Sequence, residues 1–180
     1  HGGNSGIGCA AIQLAKWAGA TVLCSVRTEE KKTFCEALGC TSVINTEKDD
    51  FVEYIQKKFP SKINVILDMI GGDFTEKNLR CLGEYGRLVQ IAFLKGQFPK
   101  VDLMQIMKQR LVITGSTLRA RSDREKKRIA DQLKENIWPE IESGNIKPCL
   151  NKEYQLSEIN EAHEFMENSM HMGKIAVTIS

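Results

Sequence analysis

The chain has 180 residues, 42% of them hydrophobic and 27% charged, with a formal net charge of +2. This is ordinary globular composition. It offers no basic surplus to draw nucleic acid or an anionic membrane, and no apolar run is long enough to cross a bilayer.

The chain opens HGGNSGIGCAAIQLAK, a glycine-rich turn joined to a helical pattern in which Ile7, Ala11, Leu14 and Ala18 recur on one face. TVLCSV (21–26) then reads as a buried strand. Thr28 caps a second helix, Glu29 and Glu30 suit its positive end, and Gly39 stops it. TSVIN (41–45) is the next strand. A charged amphipathic helix over 49–58 closes at Pro60, and INVILDMI (63–70) is a strand ending at Gly71-Gly72. A helix over 73–82, the strand GRLVQIAF (86–93), a short helix near 102–109 and the strand LVITGSTL (111–118) follow. Strands alternating with helices imply βαβ units and a parallel sheet covered on both faces.

From about 120 the rhythm changes. Residues 122–144 read as a long charged helix with Ile129, Leu133, Ile137 and Ile141 four apart, kinked or split by Pro139. After a loop and short strand in KPCLNKEYQL, Ser157 caps a helix running to about Ser169, with Leu156 placed to staple it. GKIAVTI (173–179) is the terminal strand. The six cysteines, Cys9, Cys24, Cys35, Cys40, Cys81 and Cys149, include no C-x-x-C pair. They read as reduced structural thiols of a cytoplasmic protein, with Cys24 buried.

Gly3, Ser5 and Gly8 occupy the G-x-G-x-x-G positions of a pyrophosphate-binding turn, with serine in the second place and an extra Gly6 beside it. The first glycine permits the tight turn and the last permits close helix–strand packing. Ser5 keeps its N–H and can add a hydroxyl to a pyrophosphate. The plainer alternative is an ordinary glycine-rich connection. A turn of this kind should follow a strand, so the chain reads as beginning inside a domain.

The end of the 21–26 strand bears on the cofactor. An acid there would hold a ribose 2′-hydroxyl, as in NAD enzymes. Glu29 and Glu30 qualify by count but sit inside the next helix. Ser25 and Arg27 stand at the strand end, with Lys31 one turn on. A hydroxyl and two cations suit a 2′-phosphate, and hence NADPH. The alternative is that Arg27 and Lys31 are solvated surface charges. Asp68 ends a buried strand and is expected to hydrogen-bond the loop that follows it.

Together the opening turn, ILDMIGG, GRLVQIAF, LVITGSTLRARS and MENSMHMGKIAVTI resemble the medium-chain dehydrogenase/reductase superfamily, in particular its zeta-crystallin-like NADPH:quinone oxidoreductases. The resemblance spans essentially the whole chain. It implies an α/β fold: a Rossmann doubly wound parallel sheet over 1–119 with its first strand absent. Residues 120–180 would then be a segment returning to a missing GroES-like catalytic domain.

The resemblance also implies site residues. Ser5, Gly6 and Ile7 would form the pyrophosphate loop, and Ser25 and Lys31 would hold the 2′-phosphate. A tyrosine that relatives carry after the third-strand asparagine is replaced in Asn45-Thr46. Ile70 and Gly71 would line the cofactor cleft; Ile91, Ala92 and Phe93 would approach the nicotinamide; Ser116, Thr117 and Leu118 would lie beside the cofactor. His171 stands where relatives carry Asn or His near the nicotinamide, or else is a surface-loop histidine.

The implied reaction is zinc-independent hydride transfer from NADPH to a quinone, with no catalytic residue named in this chain. Two alternatives stand beside it: reduction of an enoyl thioester or alkenal, and a non-enzymatic NADPH-binding or scaffold role. The resemblance further implies a homodimer paired through 111–116, and low turnover by the 180 residues alone.

Overall fold

Local signals at the chain's start nucleate the first helix. In the computed structural model, which describes residues 1–179, Ser5 caps α1 (Gly6–Trp17) by accepting the N–H of Gly8. β1 (Leu23–Val26) leads to α2 (Glu29–Ala37), where the Thr28 hydroxyl accepts from Lys31 N and Gly39 takes the left-handed φ that ends the helix. β2 (Ser42–Asn45), α3 (Phe51–Lys58), β3 (Ile63–Asp68), α4 (Asp73–Cys81) and β4 (Leu82–Gln90) follow. The chain continues through α5 (Leu103–Gln109), β5 (Val112–Gly115), α6 (Asp123–Asn136), α7 (Trp138–Glu142), β6 (Leu150–Gln155), a 3-10 turn (Leu156–Glu158), α8 (Ile159–Glu167) and β7 (Lys174–Thr178). Among the described residues every strand pairing is parallel: β1 with β2, β3 with β4 and β4 with β5, β6 with β7. The expected α/β class with parallel strands is therefore what the chain forms.

The chain divides into two compact units. One comprises His1 and Lys48–Ile129; the other comprises Gly2–Glu47 and the residues from Ala130 onward. In the second, Ile12, Val22, Cys24, Val26, Cys35 and Val43 make a buried cluster between α1, α2 and the β1–β2 pair. In the first, Leu79, Leu82, Leu88 and Leu111 form the core, joined by Ile63, Ile66 and Ile106. There His1 lies edge-on to Phe51 and Phe74, its Nε2 2.6 Å from Asn78 Oδ1.

Several expectations need correction. α1 buries Gly8, Cys9 and Ile12, whereas Ile7 is 51% exposed. The face is set by packing on β1 and not by the 7-11-14-18 stripe. Burial on both faces fails in the three-stranded sheet: Val65 is 62% exposed, Val112 is also exposed, and Leu88 on the middle strand is fully buried. Val65, Arg87 and Val112 share one register row. Helices and Leu79 cover only the opposite row, Ile66 and Leu88.

The 122–144 helix is two helices. Pro139 sits in the first turn of α7, where its missing N–H costs nothing. Ser157 does not cap α8. It lies inside the 3-10 turn, whose capping box is made by Gln155 and Glu158, and Leu156 is exposed there and not a staple.

Candidate functional site

The glycine turn is built on the carbonyl of Ser25, which accepts both Gly2 N (3.0 Å) and Gly3 N (3.2 Å). Gly2, not Gly3, supplies the left-handed φ of the tight turn (+65°). Gly3 is the close-approach position: a Cβ there would lie 2.6 Å from Cys24 Sγ and 3.1 Å from Cys35 Sγ. A Cβ on Gly8 would strike Gly2 O and come within 2.7 Å of Gly3 O. Gly8 thus lets α1 start against the turn's own carbonyls and not against a strand. The exposed Ile7 directly precedes Gly8, in the first turn of α1.

At the end of β1, Ser25 is buried, Arg27 is exposed and Lys31 is only 8% exposed. Arg27 thus faces solvent, whereas Lys31 is buried. Its ammonium donates to Ser169 O at 2.5 Å. Burial, and then the charge of Arg27, hold the Lys31 pKa below its ordinary value. Glu29 has its Oε1 engaged by Asn45 Nδ2 at 2.5 Å, while Asn45 Oδ1 accepts Glu47 N. The buried Asn45 therefore spends both ends of its amide locally.

His171 belongs to a strap that the structure ties to the glycine turn. Asn4 Nδ2 donates to His171 O (3.2 Å), Gly173 N donates to Asn4 O (2.7 Å), and Ser5 bridges to Gly173. His171 Nδ1 is buried without a hydrogen-bond partner among the described residues. Burial, followed by the charge of Lys31, lowers its pKa. Two residues here escaped sequence reasoning. Asn4 links turn to strap, and the Lys174 tail lies over Gly6, with Nζ 2.7 Å from where a Cβ would stand. A lysine beside a glycine, in the C-terminal run that resembles the family, was the available signal for Lys174.

In the other unit the loops after β3, β4 and β5 carry the remaining candidates. Asp68 is fully buried and accepts Ile70 N (2.7 Å) and Gly71 N, as expected for a loop-holding carboxylate. β4 stops at Gln90, so Ile91, Ala92 and Phe93 lie past the strand and not within it. Gln90 Nε2 donates to Asp68 O and Ala92 O, and Ile91 N donates to Asp68 O. Gly71 has φ +67°, and a Cβ there would meet Gly96 O at 2.5 Å. β5 ends at Gly115, so Ser116, Thr117 and Leu118 are loop; Ser116 N still donates to Gln90 O, and Arg121 Nη2 donates to Ser116 Oγ. Phe93 and Leu118 are exposed. The structure thus gathers Gly3, Ser5, Gly6, Ile7, Gly8, Ser25, Arg27, Lys31, Asn45 and His171 in one unit, and the β3–β5 loop residues in the other.

A glycine turn that opens a helix, with a buried ammonium in the same unit, has the chemistry of a phosphate site. Among the described residues no three His, Cys, Asp or Glu side chains are placed to hold a metal ion, and no helix is long and apolar enough to cross a membrane.

The profile of the family described as zinc-binding dehydrogenase matches residues 6–135. A 2-haloacrylate reductase of a Burkholderia species is 28% identical over 98% of this chain and 54% of its own. The human quinone oxidoreductase is 28% identical over 91% of this chain and 48% of its own. The chain spans about half the length of these relatives. The Escherichia coli quinone oxidoreductase, solved with NADPH, superposes with a TM-score of 0.82 at 27% identity, over 99% of this chain and 56% of that one.

Proposed function

The chain belongs to the zinc-binding dehydrogenase family, within the medium-chain dehydrogenase/reductase superfamily, and from that premise we propose that it holds NADPH for the reduction of a quinone. The observation that carries this reading is Lys31: a lysine 8% exposed, one turn beyond β1, where a 2′-phosphate is expected. Ser169 takes one of its three N–H bonds, and a phosphate can take others. The engagement of Glu29 by Asn45 supports NADPH over NADH, because that carboxylate is already spent on an amide. The quinone and NADPH relatives support the same reading.

In this reading Gly2, Gly3 and Ser5 shape the turn, Gly8 lets α1 start against it, and Gly6 and Ile7 at the start of α1 meet the pyrophosphate. Ser25, Arg27 and Lys31 take the 2′-phosphate, Asn45 is a cofactor-binding residue whose following Thr46 replaces the tyrosine contact of relatives, and Asp68 holds the Ile70–Gly71 loop. Ile91, Ala92, Phe93, Ser116, Thr117 and Leu118 are further cofactor contacts in the β3–β5 unit, and His171 is one in its own unit. The bound cofactor supplies the hydride; the chain's residues bind and orient. No zinc ligand set is assigned, and zinc independence is part of the proposal. Residues 1–119 form the cofactor domain and 120–180 complete a catalytic domain in the whole enzyme, which pairs as a homodimer through 111–116.

The 2-haloacrylate reductase relative favours a second reading, reduction of an activated alkene on the same cofactor half. The test is NADPH- and NADH-dependent reduction of an ortho-quinone by the enzyme that contains this chain, with binding of both cofactors measured alongside. Turnover with strong NADPH preference is expected. NADH preference would overturn the Lys31 argument, and NADPH binding with turnover only on alkenes would move the substrate to the second reading.

A further inference from the structure

Three cysteines that the cofactor reading leaves unused converge in the Gly2–Glu47 portion. Cys24 lies on β1 and Cys35 on α2, both buried, and Cys40 is half-buried just beyond Gly39. They are far from a C-x-x-C pattern in sequence, but α2 and the left-handed Gly39 fold the chain back so that their side chains meet. The Cys40 thiol donates to Cys24 Sγ at 3.3 Å, and Cys24 is in turn hydrogen-bonded to Cys35. Cys24 and Cys35 also share the small space beside Gly3. A metal is not the reading that this trio supports, since no triad placed to hold one occurs among the described residues.

We propose that Cys24 and Cys40 are a redox pair, which a peroxide converts to a disulfide beside the glycine turn. Cys40 is the member that solvent reaches. Its sulfur attacks the peroxide, the O–O bond breaks, and a sulfenic acid and one water result. Cys24 sulfur then displaces the hydroxyl from Cys40 sulfur; the S–O bond breaks, the S–S bond forms, and the thiol proton leaves with the hydroxyl as a second water. The two thiols lose two electrons and two hydrogens, and the peroxide is reduced to two waters. The sulfurs must close by about 1.2 Å to reach bonding distance. Cys40 directly follows Gly39, whose left-handed φ lies just past the end of α2, so that movement falls outside the helix.

The pair is quiet at neutral pH. The hydrogen bond to Cys35 and then burial push the Cys24 thiol up to about 12, and the hydrogen bond to Cys24 and then burial raise Cys40 as well. Few thiolates are present, so closure is slow, on the order of minutes to hours. Cys9 is also pushed up to about 12, by burial and then by the neighbouring Cys149, and burial pushes the Cys81 thiol up likewise.

The test treats the protein with millimolar hydrogen peroxide, alkylates the remaining thiols, and maps peptides without reduction. The expected result is one cross-linked pair joining the Cys24 and Cys40 peptides, lighter by two hydrogens and restored by dithiothreitol. Cys40→Ala should remove it and Cys149→Ala should leave it. Alkylation of both residues after treatment, their separate conversion to sulfinic acids, or a bridge from Cys24 to Cys35 instead would overturn the proposal. The unsubstituted protein decides the matter even where a variant folds poorly. The readout needs no cofactor or substrate, so it stands or falls independently of the proposed function.

Discussion

The Lys31 ammonium donates to the carbonyl oxygen of Ser169 at 2.5 Å, 138 residues away in sequence. The acceptor sits in a residue with φ +54°, in the left-handed region. A buried cation is thus held at the end of β1 by a distant turn. Lys31→Met keeps the stem and removes the charge. It should weaken NADPH binding by about 1.5–3 kcal/mol, the worth of a charged hydrogen bond, which is about 10- to 150-fold in Kd. NADH binding should change far less. Calorimetric titration of both cofactors checks this, and equal losses would show that Lys31 supports the turn and not the 2′-phosphate.

Asp68 carries the second prediction. Its buried carboxylate accepts Ile70 N and Gly71 N at the end of β3. Asp68→Ala strands those N–H groups and should cost about 1–3 kcal/mol. Urea unfolding should show a lower midpoint with an unchanged slope. A midpoint equal to that of the unsubstituted protein would refute the loop-holding role.

Gly8 tests the turn. A methyl group there meets the backbone oxygens of Gly2 and Gly3, and backbone yields less than a side chain. Gly8→Ala should destabilise by about 1–3 kcal/mol and reduce cofactor binding by displacing α1's first N–H groups. Gly19→Ala is the control: its φ is +78° but its Cβ meets nothing within 4 Å, so only backbone strain of about 1–2 kcal/mol is expected. Cofactor titration separates them, since Gly19→Ala should bind normally.

His171 gives a pH dependence with a definite sign. Its folded pKa lies below the ordinary 6.5 because of burial and then the Lys31 charge. Below 6.5 the unfolded chain therefore takes up more protons than the folded one. The contribution is complete above 6.5 and is lost as pH falls toward the folded value. Urea unfolding between about pH 5 and 8 should show this loss, and His171→Gln should flatten it. Parallel curves for both proteins would exclude His171 as the source.

The proposed pairing through 111–116 rests on an exposed edge strand. Among the described residues β5 bonds only to β4, and Val112 and Ile113 are exposed. Sedimentation at micromolar concentration should find dimers, and Ile113→Lys should yield monomers, because a charge on an edge strand opposes pairing. A monomeric unsubstituted protein would remove the proposal.

Much of the fold was legible because its signals are local. Thr28 and Gly39 bracket α2 as their chemistry demands, and the apolar runs at 41–45 and 63–70 became parallel strands. The reading failed where two local signals competed. Ser157 is a fair cap in isolation, yet Gln155 and Glu158 form the capping box and leave Ser157 inside the 3-10 turn. The apolar stripe Ile7-Ala11-Leu14-Ala18 is regular, but packing on β1 chose Gly8, Cys9 and Ile12.

The sequence by itself determined the α/β rhythm, the glycine turn and the choice of residues at the end of β1, because caps, turns and periodicity act over a few residues. Only the tertiary structure decided which of those residues are buried and paired. Arg27 and Lys31 read alike in the sequence, yet one is solvated and the other lies against Ser169. Cys24 and Cys40 meet only because α2 and Gly39 reverse the chain. Burial and contact depend on what the rest of the chain brings close, and no local window contains that partner.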